Sequence, residues 1–224
     1  MCIRDSTKAD IEIVPDGIPD PVFRRGAVAT GGRADDHAVI ISVNDGFGPR
    51  KNVQRLLEAH RALVRRGIEC ELHLVGHGYE PGGPCQRWAR EKRVVEHVSF
   101  LGPLPHAEVL RRMRHATLLA HPSREESFGM TLVEAMSQRV PVIGGARSGA
   151  VPWVLGGGKA GLLVDVDDPR AVAGAMAAVL AQPALSGRLA TNGYAHAWQN
   201  FRQSRVTDLY LDVYRRLLAE EVRK

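Results

Sequence analysis

The stretch EESFGMTLVEAM, residues 125–136, lies where a predicted strand gives way to a predicted helix. The residues before it include TLLAHPS (117–123), an apolar run that ends in turn residues, and this pattern predicts a strand. The apolar spacing after the Phe-Gly step favours a helix that begins near Ser127 or Phe128. The stretch therefore predicts a strand, a loop and a helix in succession, which is the repeating unit of an α/β fold.

Two glutamates occupy different positions in this unit, Glu126 in the loop and Glu134 about two turns further on, inside the helix. One explanation is local, because acidic residues near a helix N-terminus stabilise the helix by about 0.3–1 kcal/mol without any ligand. The other explanation is a ligand site, since the free N–H groups of the first turn bind anions and Gly129 lets a ligand approach the backbone. Carboxylates on both sides of an anion site suit a nucleotide sugar, whose parts follow in the order sugar, diphosphate, ribose.

Strand and helix signals alternate from residue 37 onward. Apolar runs bounded by turn residues predict strands at 37–44, 71–78, 98–102, 117–123, 140–145 and 161–166. Further helices are predicted at 53–64, 84–95, 105–115, 168–181 and 201–220. This alternation predicts an α/β fold, a Rossmann-like parallel sheet with helices on both faces. Such sheets bind ligands at the carboxyl ends of their strands, which places residues 44–51, 76–80 and 122–129 on one rim.

The chain before residue 37 has a different character. IEIVPDGIPDPVFRRG (11–26) predicts a strand that runs into a connector rich in Pro and Gly, and a loop follows. Residues 1–6, MCIRDS, back-translate to bases that resemble the transposase mosaic end used in sequencing libraries. We interpret these six residues as a sequencing artefact.

Composition narrows the class of protein. The chain has 224 residues and a net charge of +5, which favours anionic partners without choosing among them. Its cysteines, Cys2, Cys70 and Cys85, lack metal-ligand spacing and fit a reduced, cytoplasmic setting. The longest apolar run, 171–181, is too short to span a bilayer, which requires roughly 20 residues.

The ordered set of motifs resembles the retaining glycosyltransferases of family 4, whose GT-B fold consists of two Rossmann-like domains. Matching features occur in the family's order: VPDGIPDPVF (14–23), Lys51-Asn52 after a strand, LHLVGHGYE (72–80), VSFLGPLPHAEVLRRMRHATLLAHPSREESFGMTLVEAM (98–136), PVIGGARSGAVPWVLGGGKAGLLVDVDDP (141–169) and DVYRRLL (212–218). The resemblance runs over nearly the whole chain, from about Val14 to Leu218. It implies that the chain is the C-terminal, donor-binding half of a GT-B fold.

The resemblance also implies roles for individual residues. Glu126 would orient the donor sugar and Lys51 would pair with the diphosphate, and these two are the expected catalytic residues. Glu134 would hold the ribose. Further donor contacts are implied at Arg50, Gly76, Gly78, Phe100, His121, Ser127, Phe128, Gly129 and Met130. Two positions depart from the family: Gly46 replaces a common arginine, and SGAVPWVL (148–155) lacks the usual acidic residue.

The implied domain organisation follows from the same resemblance. Residues 7–36 would be the end of an N-terminal domain and the interdomain linker, and residues 37–200 the nucleotide-sugar-binding domain. Residues 201–224 would form a helix that returns to the N-terminal domain, whereas its pattern alone predicts packing on its own domain. The acceptor-binding N-terminal domain is then expected to be missing, and the fragment alone to be inactive.

The expected function is transfer of a sugar, with retention, from a nucleoside diphosphate sugar to an acceptor hydroxyl, without a cofactor. Two alternatives are a nucleotide-sugar epimerase of the same fold and a non-catalytic nucleotide-binding module. No metal is expected, because DVDD (165–168) precedes Pro169 and is typical of turn and cap residues. RRMRH (111–115) is more typical of a solvated helix face than of a nucleic-acid site, although peripheral contact with the cytoplasmic membrane face stays an alternative.

Overall fold

The computed structural model describes residues 12–23 and 37–221. Six strands form one sheet in the order β3-β2-β1-β4-β5-β6, and every neighbouring pair is parallel. The strands are β1 (Ala38–Val43), β2 (Cys70–Val75), β3 (Val98–Gly102), β4 (Leu118–Ala120), β5 (Val142–Gly145) and β6 (Leu162–Val164). All six strands predicted from residue 37 onward are present, which confirms the parallel, Rossmann-like sheet.

Helices connect the strands. They are α1 (Val53–Arg65), α2 (Pro84–Glu91), α3 (His106–His115), α4 (Met130–Ser137), α5 (Val151–Val154), α6 (Pro169–Ala181), α7 (Pro183–Phe201) and α8 (Gln203–Glu221). Two short 3₁₀ turns occupy Asp20–Val22 and Gly156–Gly158. Neither α5 nor α7 is among the helices that the sequence pattern predicts.

Helices cover both faces of the sheet, as predicted. Successive strand residues point to opposite faces, so Ile40 belongs to one core cluster and Ile41 to the other. The first cluster includes buried residues of α1, α2 and α6, and the second includes buried residues of α3, α4 and α5. Ile40 and Ile41 are both apolar because a parallel sheet is buried on both of its faces.

Two predictions of local structure are wrong. Helix α4 begins at Met130 rather than near Ser127 or Phe128, because Gly129 has a left-handed conformation (φ 94°) that no α-helix can include. The strand predicted within 11–26 is absent from its described part, where Ile18 makes only an isolated bridge to Arg202. The prolines of this segment cannot donate to a strand ladder, which explains the missing strand.

The segment 12–23 lies against the start of α8. Ile18 donates its N–H to the carbonyl of Phe201 at 2.9 Å, and the Asp20 carboxylate accepts from the backbone N–H and the hydroxyl of Ser204. Phe23 contacts the ring of Trp198 edge-on, with centroids 5.1 Å apart. These contacts fix the segment beside the domain and cap the first turn of α8.

Helix α8 is buried only near its start. Val206 is buried, whereas several large apolar residues further along are 42% to 62% exposed: Tyr210, Leu211, Tyr214, Leu217 and Leu218. Helix α8 therefore packs on its own domain only through its first turns. None of the helices in the described ranges is long and apolar enough to cross a membrane.

Candidate functional site

A cleft opens between the carboxyl ends of β1 and β4. These two strands are neighbours in the sheet, but the chain leaves β1 for α1 on one face and leaves β4 for α4 on the other. Such a switch point is where parallel α/β sheets bind ligands. The cleft has a volume of about 310 Å³ and is lined by Asp16, Val43, Asn44, Asp45, Lys51, His121, Glu126, Ser127, Phe128, Gly129, Met130 and Thr131.

Glu126 lies at the centre of a polar cluster in this cleft. Its Oε2 accepts a hydrogen bond from Lys51 Nζ at 3.1 Å, and His121 Nε2 lies 3.2 Å from the same oxygen. The side chains are largely buried, with exposed fractions of 16% for Glu126, 17% for Lys51 and 2% for His121. An ionised carboxylate can only accept, so His121 Nε2 carries the proton in this contact.

This cluster keeps Glu126 ionised. The hydrogen bond from His121, followed by the bond from Lys51 and the electrostatic attraction of both side chains, lowers the pKa of Glu126 to about 2. Desolvation acts in the opposite direction and raises the pKa, but it is outweighed. At neutral pH the carboxylate is therefore a fixed negative charge that accepts hydrogen bonds, and it does not act as an acid.

Ionisation of Glu126 should make the stability of the fold depend on pH. Because the folded pKa of about 2 lies below the ordinary value of 4.5, the stabilisation is complete above about pH 4.5 and is lost as the pH falls towards 2. We expect the difference in unfolding free energy between the wild type and Glu126→Gln to shrink as the pH falls from about 4.5 towards 2, as measured by urea unfolding. Glu125→Gln, at the exposed neighbouring position, is the control. A wild-type advantage over Glu126→Gln that stays constant with pH would contradict the ion pairing.

Lys51 is held in place by contacts from two other loops. Asn52, directly after it, has a left-handed conformation (φ 55°), and its buried side-chain amide donates to the carbonyl of Val166 at 2.9 Å. The N–H of Arg124 donates to the carbonyl of Arg50 at 2.8 Å. The loops after β1, β4 and β6 are thus tied together around Lys51.

The backbone at Glu126 is fixed from the other side by the loop after β5. The N–H of Ala150 donates to the carbonyl of Glu126 at 2.9 Å. Gly149 has a φ of 59°, and a Cβ added there would lie 2.4 Å from that same carbonyl oxygen. Glycine at 149 therefore permits the close approach that orients the Glu126 loop.

The N-terminus of α4 faces the cleft through Gly129, Met130 and Thr131. No side chain of the described residues caps the first turn of α4, so backbone N–H groups remain for a ligand. A Cβ added at Gly129 would lie 2.8 Å from a methyl carbon of Leu132. The predicted role of Gly129, close backbone approach at a helix N-terminus, is compatible with this geometry.

Glu134 lies one turn beyond Met130 on α4 and outside the lining of the cleft. Its side chain is 12% exposed, and Oε1 lies 2.7 Å from Nε2 of His106, the first residue of α3. The buried carboxylate is therefore partnered by a side chain that the sequence did not single out. Glu134 and His106 thus lie beside the cleft without lining it.

The remaining predicted donor contacts lie in several environments. Gly76 and Gly78 follow β2 with positive φ, and Gly78 packs against the loop after β1, where an added Cβ would lie 3.0 Å from the Phe47 nitrogen. Phe100 is buried in the core, so its side chain is not available to a ligand. Arg50 is exposed and does not line the cleft.

Several residues that line the cleft were not predicted individually. Asn44 and Asp45 directly follow β1 and fall within the rim that the strand pattern predicts. Asn44 accepts a hydrogen bond from the buried Ser123 hydroxyl at 3.3 Å, which joins the loops after β1 and β4. Asp16 comes from the segment 12–23, and no local sequence signal marks it, because its position depends on long-range packing.

The acidic stretch 165–168 serves turns and caps, as predicted. Asp168 accepts from the backbone N–H of Arg170 at 2.8 Å at the start of α6. Asp165 pairs with Arg147, and Asp167 pairs with Arg124. In the described part of the chain, no three His, Cys, Asp or Glu side chains come together as a metal site.

The basic stretch 111–115 is partly neutralised on its own helix. Arg111 and Arg112 both contact Glu108, at 2.6 and 2.8 Å. Arg114 donates to the side chain of Gln138 at 2.6 Å. These contacts are typical of a solvated helix face, as the sequence predicts.

Comparison with known proteins extends these observations. Residues 28–196 match the family described as Glycosyl transferases group 1. The chain is 32% identical over 230 residues to D-inositol 3-phosphate glycosyltransferase of Saccharomonospora viridis, covering 97% of this chain and 52% of the relative. It is 28% identical over 190 residues to N-acetyl-alpha-D-glucosaminyl L-malate synthase of Bacillus anthracis, covering 85% and 48%.

A solved structure of a further protein is also similar to this chain. Sucrose-phosphate synthase from Thermosynechococcus elongatus superposes with a TM-score of 0.77 at 26% identity, covering 93% of this chain and 53% of that protein. The chain thus spans about half the length of the curated relatives it matches.

Proposed function

The chain belongs to the glycosyl transferases group 1 family, and we propose that it is the donor-binding half of a family 4 retaining glycosyltransferase. The donor is a nucleoside diphosphate sugar, bound in the cleft at the ends of β1 and β4. The observation that carries this proposal is the cluster of Lys51, Glu126 and His121 beside the uncapped N-terminus of α4. It combines a cation, a helix end for phosphates and a fixed carboxylate for hydroxyl groups.

Catalysis in this proposal depends on stabilising the leaving diphosphate. Negative charge develops on a phosphate oxygen as its bond to the sugar breaks. Lys51 and the N–H groups of α4 bind that charge more strongly in the transition state than in the ground state. The Lys51 ammonium has three donors, so its bond to Glu126 leaves two for phosphate oxygens.

Glu126 orients the donor sugar in this proposal. Its pKa of about 2 means that it carries no proton to donate at neutral pH. Its Oε2 contacts Lys51 and His121, so the carboxylate is held in one orientation from which it accepts sugar hydroxyls. The site therefore supplies orientation and charge, and proton transfer to or from Glu126 is not part of the mechanism.

A second domain completes the enzyme. The curated relatives are about twice as long as this chain, which supports an N-terminal domain that binds the acceptor. The names of these relatives refer to different small molecules, D-inositol 3-phosphate and L-malate. We infer that acceptor choice resides in the other domain and that this chain alone binds donor without transferring sugar.

Nucleotide binding tests the function directly. We expect one of UDP, GDP, ADP or dTDP, added at about 100 times its dissociation constant, to stabilise the 224-residue chain by about 3 kcal/mol. For a domain of this size, that stabilisation raises the melting temperature by roughly 5–10 °C, which a thermal-shift assay detects. Lys51→Ala should reduce the shift. Lys92→Ala, between α2 and β3 and outside the lining of the cleft, should leave the shift unchanged. Absence of a shift with every nucleotide and its sugars would refute the proposed function.

A further inference from the structure

Glu134 has a partner whose position suggests more than helix packing. His106 begins α3, and its Nε2 lies 2.7 Å from Glu134 Oε1 on α4. The Glu134 side chain is 12% exposed, whereas that of His106 is 61% exposed. The largely buried Glu134 carboxylate is thus contacted by the largely exposed side chain of His106.

The packing of α3 on the domain does not require this contact. Val109, Leu110 and Met113 bury the inner face of α3 in the core cluster on that side of the sheet. Arg114 contacts Gln138, the residue directly after α4, at 2.6 Å and provides a second polar connection between α3 and the end of α4. A merely structural role would therefore leave His106 dispensable.

The contact leaves half of the carboxylate for a ligand. Since ionised Glu134 only accepts, the proton of this hydrogen bond lies on His106 Nε2. Among residues 12–23 and 37–221, no donor contacts the second oxygen, Oε2. Ordering a free glutamate side chain on binding would cost part of the affinity gained from its hydrogen bonds.

We propose that His106 is a positioning residue that fixes the Glu134 carboxylate through Oε1, so that Oε2 accepts a ribose hydroxyl of the bound nucleotide. The inference rests on the proposed function, because the ribose belongs to the nucleoside diphosphate donor. It predicts that His106 affects the affinity only of ligands that have ribose hydroxyls.

Isothermal titration of the 224-residue chain tests this inference. The probes are UDP, GDP, ADP and dTDP with their 2′,3′-dideoxy counterparts, and the variants are His106→Ala and His106→Gln. For the nucleotide that binds, His106→Ala should weaken affinity about fivefold, while the affinity for its dideoxy counterpart stays unchanged. His106→Gln should recover most of the loss, because its amide can donate from a position near that of Nε2.

A matched control variant and the measured affinities distinguish the role of His106 from nucleotide binding by the chain. His115→Ala removes an exposed histidine from the other end of α3 and should leave all affinities unchanged. Equal losses for ribose and dideoxy ligands, or no loss with His106→Ala, would overturn the role of His106 while nucleotide binding stands. If no nucleoside diphosphate binds the wild-type chain, the proposed function fails and the inference fails with it.

Discussion

Replacing Glu126 by alanine is expected to lower kcat by about 100-fold or more in a two-domain enzyme that contains this chain. The carboxylate contacts Lys51 Nζ at 3.1 Å and His121 Nε2 at 3.2 Å. Its removal leaves His121 buried without this partner and frees Lys51 from the position that we assign to diphosphate binding. Steady-state kinetics with saturating donor measures the loss as a change in kcat.

Two further variants test whether the loss of kcat comes from the cluster of Lys51, Glu126 and His121. Glu125→Ala, at the exposed neighbouring position, should retain normal turnover. The double variant Glu126→Ala/Lys51→Ala should lose less than the product of the two single losses, because groups that act as a unit are not additive. Turnover of Glu126→Ala close to that of the wild type would eliminate the proposed role of this carboxylate.

Much of the fold is predictable from sequence because a parallel sheet is buried on both faces. The run at β1 is apolar at both Ile40 and Ile41, which face opposite core clusters, and such runs stand out between turn residues. Helix α7 escapes prediction because its sequence, PALSGRLATNGYAHAWQNF, contains Gly and Asn residues of low helix propensity. Packing stabilises it instead, with Ala197 and Phe201 fully buried in the core.

The site is less predictable than the sheet. The carboxyl ends of the strands place Lys51 and Glu126 on one rim, but their contact joins residues 75 positions apart in sequence. It arises because the sheet order makes β1 and β4 neighbours. The contacts between Glu134 and His106, and between Asn52 and Val166, likewise depend on tertiary packing and have no local signal.

The second large effect is expected at Gly76, where the carboxyl end of β2 passes the end of β1. Gly76 has a φ of 125°, and a Cβ added there would lie 1.8 Å from the carbonyl oxygen of Asn44. Because that atom belongs to the backbone at the exit of β1, it cannot move without displacing the loop that leads to Lys51. We expect Gly76→Ala to lower the unfolding free energy by about 3 kcal/mol or more, as measured by urea unfolding with tryptophan fluorescence.

Comparison with Gly82→Ala separates the steric clash at Gly76 from the strain of a positive φ. Gly82 also has a positive φ, 72°, but no heavy atom lies within 4 Å of its added Cβ. It should therefore cost only about 1 kcal/mol, the strain of a left-handed conformation in an alanine. Equal costs at the two positions would mean that β1 and β2 end farther apart than the structure places them. Because the displaced loop includes Asn44 and leads to Lys51, any folded Gly76→Ala protein should also bind nucleotide more weakly than Gly82→Ala. Gly76 would then affect the donor site through the course of the backbone at the ends of β1 and β2.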